Sequence, residues 1–153
     1  MQHKWIKDLE SNLDKFVDSL DKDECKFNPV IKGITPNGAK LELGLSCYAL
    51  KIYFITGRWE LLPNNQKEIW IKYINSFQSA RNDFAVNAFI DEEYIKAYNE
   101  FSLTKNIKEA VKSLLIHLNY KNYRLRSEKL EEFVTAESKQ AISSLIQVGH
   151  ETT

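Results

Sequence analysis

Glycine and proline are scarce in this chain, five and three in 153 residues. Their scarcity excludes collagen-like, low-complexity and loop-dominated chains and favours helices joined by short connections. Cysteine is nearly absent too. Cys25 and Cys47 are the only two, too few for a disulfide framework. Cys47 lies in an apolar run and reads as a small buried hydrophobe, whereas Cys25 lies in a charged connection, so no bridge between them is expected. Net charge is also missing. Lys+Arg and Asp+Glu stand at 21 each, a formal charge of +0, which argues against non-specific nucleic-acid binding and leaves little repulsion between copies. Nor is there an uninterrupted hydrophobic stretch. Met1 to Lys22 carries charges throughout and lacks the apolar centre of a secretory signal. The most apolar segment, Leu41 to Leu62, is broken by Glu42, Gly44 and Lys51, so no membrane span is expected. These absences make a cytoplasmic protein, binding neither membrane nor nucleic acid, the expectation.

What is present is material for a core. Hydrophobic residues make up 43 % and aromatics 12 %, enough to fill one domain spanning 1–153. Trp5, Leu9, Leu13, Phe16, Val17 and Leu20 recur at helical spacing, with charged residues between them. That pattern predicts an amphipathic helix ending at the charge run Asp21 to Glu24. Asn28-Pro29, Gly33 and Pro36-Asn37-Gly38 predict an irregular connection. Leu41, Leu43, Leu45 and Cys47 then alternate with Glu42, Gly44 and Ser46, the period of a strand, before Tyr48-Ala49-Leu50 breaks the alternation. Periodicity alone leaves 41–47 open between strand and helix. The length of the apolar run to Ile55 favours a buried helix with Gly57 at its C-cap. Further helices are predicted over Gln66 to Ser79, from an Asp91 cap through Phe101, from an Asn106 and Glu109 capping pair through Leu118, and from Ser127 to Gly149. The predicted fold class is all-α, with about six amphipathic helices.

Several constellations are candidates for chemistry. Asp21, Asp23 and Asn28 lack the glycine and terminal glutamate of a calcium loop and read as a solvated helix end. The histidines are His3, His117 and His150. His117, beside Leu114, Leu115 and Leu118, could pair with Cys47 as a nucleophile, but no third orienting residue is identifiable. Asp91, Glu92 and Glu93 could act as acids or bases; helix capping accounts for them more simply. Tyr120 to Lys129 interleaves aromatics with positive charge, and neighbouring acids make it a solvated connection rather than a nucleic-acid site. There is no phosphate-binding loop, dinucleotide fingerprint or zinc spacing, so no cofactor or metal is expected and catalytic residues remain unassigned.

Tyr53, Gly57 and Trp59 stand at the spacing of the Q-x-x-x-G-x-W motif of the squalene cyclase and protein prenyltransferase superfamily. Ile74-Asn75-Ser76-Phe77-Gln78, followed by Phe84 and by Phe89-Ile90-Asp91, is similar to a turn of the same proteins. The stretch from Leu41 to Gly149 thus resembles part of an α/α toroid, a closed double ring of helices. Tyr53 stands where the motif has glutamine. The acidic D-x-D-D motif and the zinc-binding set are missing, so no catalytic residue carries over. The resemblance implies a partial toroid with an exposed apolar helical face, which calls for a protein partner or a second copy. It also implies an aromatic cavity, for which Tyr48, Tyr53, Trp59, Trp70 and Tyr73 are the candidates. Two functions follow. One is a non-catalytic interaction domain. The other is a small or fragmentary enzyme acting on a prenyl or glycan substrate.

Overall fold

The computed structural model describes residues 4–118, 120 and 123–150. It is mainly all-α, with seven α-helices and one two-stranded hairpin among those residues. Helix α1 (Lys4–Leu20) leads directly into strands β1 (Asp21–Asp23) and β2 (Lys26–Phe27), where the sequence suggests only a charged helix end. The hairpin depends on local devices. The Asp23 carboxylate accepts from the Glu24 N–H at 2.8 Å, and Cys25 takes a left-handed φ of 61° at the turn. The Asn28 N–H then donates to the Leu20 carbonyl at 2.7 Å, tying the hairpin to the end of α1.

The disputed apolar segment is helical. Helix α2 runs Leu43–Ile55, with Leu41 and Glu42 extended or irregular ahead of it. Leu43, Ser46, Cys47, Ala49 and Leu50 are all buried. Thr56 ends the helix and Gly57 adopts φ +75°, a left-handed conformation that glycine enters without steric cost. One-turn helix α3 (Arg58–Leu61) follows, then α4 (Asn64–Asn75) behind Pro63. The chain next crosses a loop closed by the Ile90 N–H on the Phe77 carbonyl and the Ser79 N–H on the Ala88 carbonyl, both at 2.8 Å. Helices α5 (Glu92–Asn99), α6 (Leu103–His117) and α7 (Arg126–Gln147) complete the chain. Helix α6 starts earlier than expected. Ser102, not Asn106, is its N-cap, while the half-buried Glu109 accepts from the Arg126 backbone N–H at the start of α7 and pairs with the Lys112 ammonium.

The core forms where α2 meets α7. Small residues on α7, Ala141 and Ser144, are fully buried and let the two helices approach closely. Two polar ties fix that approach. The Lys51 ammonium donates to Gln140 Oε1 at 3.0 Å, and the Ser144 hydroxyl lies 3.4 Å from the Cys47 carbonyl. Around this seam pack Val17, Phe27, Trp59, Trp70, Ile74, Phe89 and Leu145. A smaller cluster of Ala88, Ile90, Ile95 and Val134 joins α5 to α7.

Two helices contribute little to either cluster. No described residue of α6 is buried. Leu103, Ile107, Leu114 and Leu118 are 68 %, 62 %, 58 % and 64 % exposed. Among the described side chains of α1 only Val17 is buried, and Trp5 and Leu9 are 64 % and 58 % exposed. Much of the stripe predicted to face inward therefore faces outward: the first turns of α1 and most of α6, whereas Val17 and Leu20 at the end of α1 reach the core. Periodicity is a property of the helix alone and does not specify which element, if any, covers it.

Candidate functional site

Three features combine chemistry with accessibility: a packed aromatic cluster, an apolar pocket containing a carboxyl group, and the bare faces of α1 and α6.

The aromatic cluster gathers three of the five cavity candidates. Trp70 is its centre. Tyr53 and Trp59 meet its ring edge-on at 5.0 and 6.1 Å, and Phe27 stacks on it at 5.7 Å. The Trp70 indole N–H donates to the buried Ser46 hydroxyl at 2.8 Å. Trp59 and Trp70 are core residues, because their rings fill space between α2, α3 and α4. A small cleft of about 210 Å³ opens beside Tyr53 and Trp70. The Tyr53 ring lies 4.0 Å from the Arg58 guanidinium, which also donates to the Tyr53 hydroxyl and to Asp18, both at 2.8 Å. Through Arg58, Tyr53 ties the end of α2 to α1.

Tyr73 stands apart from this trio. Its hydroxyl donates to Glu42 Oε2 at 2.5 Å, and its ring meets Phe77 edge-on. Burial and the Glu42 carboxylate push the Tyr73 hydroxyl far above its usual range. Burial alone would raise Glu42 as well, yet the Tyr73 hydrogen bond and the Lys26 and Lys22 ammonium groups bring it below the ordinary carboxylate value. Tyr48 is on another surface, 60 % exposed, at the mouth of the carboxyl-bearing pocket.

That pocket has a volume of about 200 Å³. Leu41, Leu45, Tyr48 and Phe133 wall it, and Asp91 and Glu137 are its charged groups among the described residues. The two acids differ. Asp91 is buried and fully engaged. Its Oδ2 accepts from the Glu42 and Leu43 N–H groups at 2.8 and 3.2 Å, and its Oδ1 accepts from the Glu93 N–H at 3.1 Å. One carboxylate thus caps α5 and closes the start of α2. Glu137, on α7, has no hydrogen bond or ion pair among the described residues. Burial, with Asp91 nearby, raises it from 4.5 to about 7. It fits because residue 44 is glycine: a β-carbon there would lie 2.9 Å from Glu137 Oε1.

Cys47 is fully buried and its thiol is pushed up to about 12 by burial, so it is no nucleophile at neutral pH. His117 is exposed on α6. His3 and Lys121 lie outside the described residues. Cys25 and Cys47 are both free thiols. Glu92 pairs with Arg81 at 3.1 Å, and Glu93 pairs with Lys96 at 2.6 Å. Arg124 is held by Glu132 at 2.9 Å, and the Arg126 guanidinium stacks 4.2 Å from the Tyr98 ring. Asp21 and Asp23 are exposed on β1. Glu137 was not among the sequence candidates. Its one sequence signal is position: it falls four residues from both Phe133 and Ala141, a lone acid in the inward row of a helix.

Fold and site together define a class: an all-α domain with a carboxyl group in a small apolar pocket and two bare apolar helix faces. Comparison of the chain with protein-family models, curated proteins and solved structures finds no match. No helix among the described residues is long and apolar enough to cross a membrane.

Proposed function

We propose that the chain is a non-catalytic interaction domain, part of an α/α-toroid-like array, that packs helix against helix on a protein partner or a second copy. The observation that supports this is α6. It spans 15 residues, buries no side chain, and presents Leu103, Ile107, Val111, Leu114 and Leu118 along one exposed row. A helix of this length is marginal in water when nothing packs on it. Covering such a row is worth roughly 1.5–3 kcal/mol per fully buried Leu or Ile before ordering costs. The apolar stripe of α1, with Trp5, Leu9 and Phe16 exposed, offers a second face of the same kind.

Sedimentation equilibrium across a concentration series tests the reading. The wild-type chain is expected to associate, or to bind a helical partner, and the pair Ile107→Glu and Leu114→Glu is expected to abolish it with helicity unchanged. A wild-type chain that stays strictly monomeric and does not bind a dye specific for exposed apolar surface would overturn it.

A second reading, a small enzyme acting on a prenyl or glycan substrate, has one observation in its favour. Glu137, raised to about 7, is poised to exchange a proton near neutrality inside an apolar pocket beside a second carboxylate. Hydrolysis or cyclisation lost on Glu137→Gln would favour it over the first.

A further inference from the structure

The pocket between α2, α5 and α7 has a single electrostatic sign. Asp91 and Glu137 are its charged lining groups, and among the described residues no lysine, arginine or histidine contributes to its wall. The groups electrostatically coupled to Glu137 are Asp91 and Tyr94 from the start of α5 and Cys47 from α2, all neutral or acidic; Lys51 of α2, which also acts on Cys47, is turned to Gln140 Oε1 at 3.0 Å. Lys40, in the turn that precedes α2, is directed to Glu93 of α5 at 3.9 Å. The Tyr48 ring stands at the rim, and the Phe133 ring, stacked on Tyr94 with centroids 3.5 Å apart, forms part of the wall. Aromatic faces carry partial negative charge and attract cations. Asp91 is saturated by three backbone N–H groups and serves the fold. Glu137 is not: among the described residues it has no hydrogen bond or ion pair. A carboxyl group left without a counter-charge in an apolar wall is costly to the folded state unless a ligand supplies one.

We propose that this pocket binds an organic ammonium group, with Glu137 as the counter-ion and Tyr48 and Phe133 packing on the apolar body that carries the charge. The size is limiting. A cavity of about 150 Å³ takes up a benzene ring, so 200 Å³ admits one ring or a four-carbon chain with its ammonium head. The ligand is either a small free amine or a lysine side chain presented by a peptide. Both have the same chemistry at the site. Gly44 is part of the specificity, because it leaves the space in which the carboxyl group sits. The proposal does not depend on the α1 and α6 faces, and it predicts no turnover.

Chemical-shift titration of the full chain tests it, with three probes at about pH 8: 2-phenylethylammonium, N-acetyl-lysine methylamide and the neutral 2-phenylethanol. An ammonium probe is expected to shift the amides of Gly44, Leu45 and Glu137 and to bind at least about tenfold more tightly than the alcohol. Binding by the phenylethyl probe alone points to a free amine, and binding by the lysine probe points to a peptide side chain. Glu137→Gln is expected to remove the preference for charge. Acidification of the wild type to about pH 5.5 repeats that test without a substitution, because it protonates the carboxyl group while the ligand stays charged; the expected weakening is about thirtyfold. Equal binding of alcohol and ammonium, an unchanged affinity in Glu137→Gln or at the lower pH, or no binding by either ammonium would each overturn the assignment.

Discussion

Replacing Glu137 with glutamine should make the protein more stable, and only above about pH 4.5, with the full effect above 7. The native carboxyl group ionises near 7 rather than at 4.5, because burial and the neighbouring Asp91 penalise its charge. The folded state therefore holds the proton more tightly than the unfolded chain does. Below 4.5 both states are protonated and the group costs nothing. As pH rises from 4.5 to 7 the unfolded chain ionises first and native stability falls. Above 7 the loss is complete. A displacement from 4.5 to about 7 corresponds to about 3 kcal/mol at full burial. Because the carboxyl group opens on a pocket in contact with solvent, the realistic figure is about 1–2 kcal/mol. Glutamine has the shape of the protonated acid and never pays the ionisation term. Thermal melts of both proteins from about pH 3.5 to 8.5 should coincide at the acid end. They should diverge by roughly 3–6 °C at the alkaline end, given about 2–4 °C per kcal/mol for a domain of this size. Taking the difference between the two proteins removes the titration of all other groups. A constant gap at every pH, or a variant less stable at the alkaline end, would refute the environment assigned to Glu137.

Three further outcomes are expected. Asp91→Ala should lower stability by about 2–4 kcal/mol in chemical denaturation, since three N–H groups at two helix starts lose their acceptor; a loss under about 1 kcal/mol would contradict its double capping role. Ser46→Ala should cost about 1–2 kcal/mol and shift tryptophan fluorescence, because the buried Trp70 N–H is left without a partner. Ile107→Glu with Leu114→Glu should change the stability of the isolated monomer by less than about 0.5 kcal/mol per site, the mark of a face that packs on nothing within the chain.

Much of the helical pattern was legible because it is local. Asp91 caps α5 as expected, and Gly57 and Gly149 take left-handed φ values of 75° and 79° just past the ends of α2 and α7. Where the sequence was ambiguous, distant residues decided. The alternation at 41–47 resembled a strand, yet Asp91, 48 residues beyond Leu43, receives the backbone N–H groups that begin α2. The N-terminal boundary of that helix is therefore fixed by a tertiary contact. The hairpin at 21–27 was missed because Asp21, Lys22 and Asp23 have no strand propensity; its geometry comes from the Asp23 side chain and the φ of Cys25. The five aromatic candidates share a residue type but not a location. Tyr53, Trp59 and Trp70 cluster, Tyr73 turns to Glu42, and Tyr48 stands at the other pocket. Glu137 was illegible in a different way. One acid among the many on α7 becomes exceptional only when Gly44 and Asp91 are brought against it.

The central claim is that α6 is a helix whose packing surface is supplied from outside the chain. Amide hydrogen exchange at two protein concentrations tests this most directly. At high dilution the amides of Leu103–His117 should exchange close to the rate of an isolated helix, while those of Leu43–Ile55 and Arg126–Gln147 remain strongly protected. Protection of α6 should then rise with concentration or on addition of a helical partner. Protection of α6 equal to that of α2 at every concentration would mean that the helix is already supported within the monomer, contradicting the account.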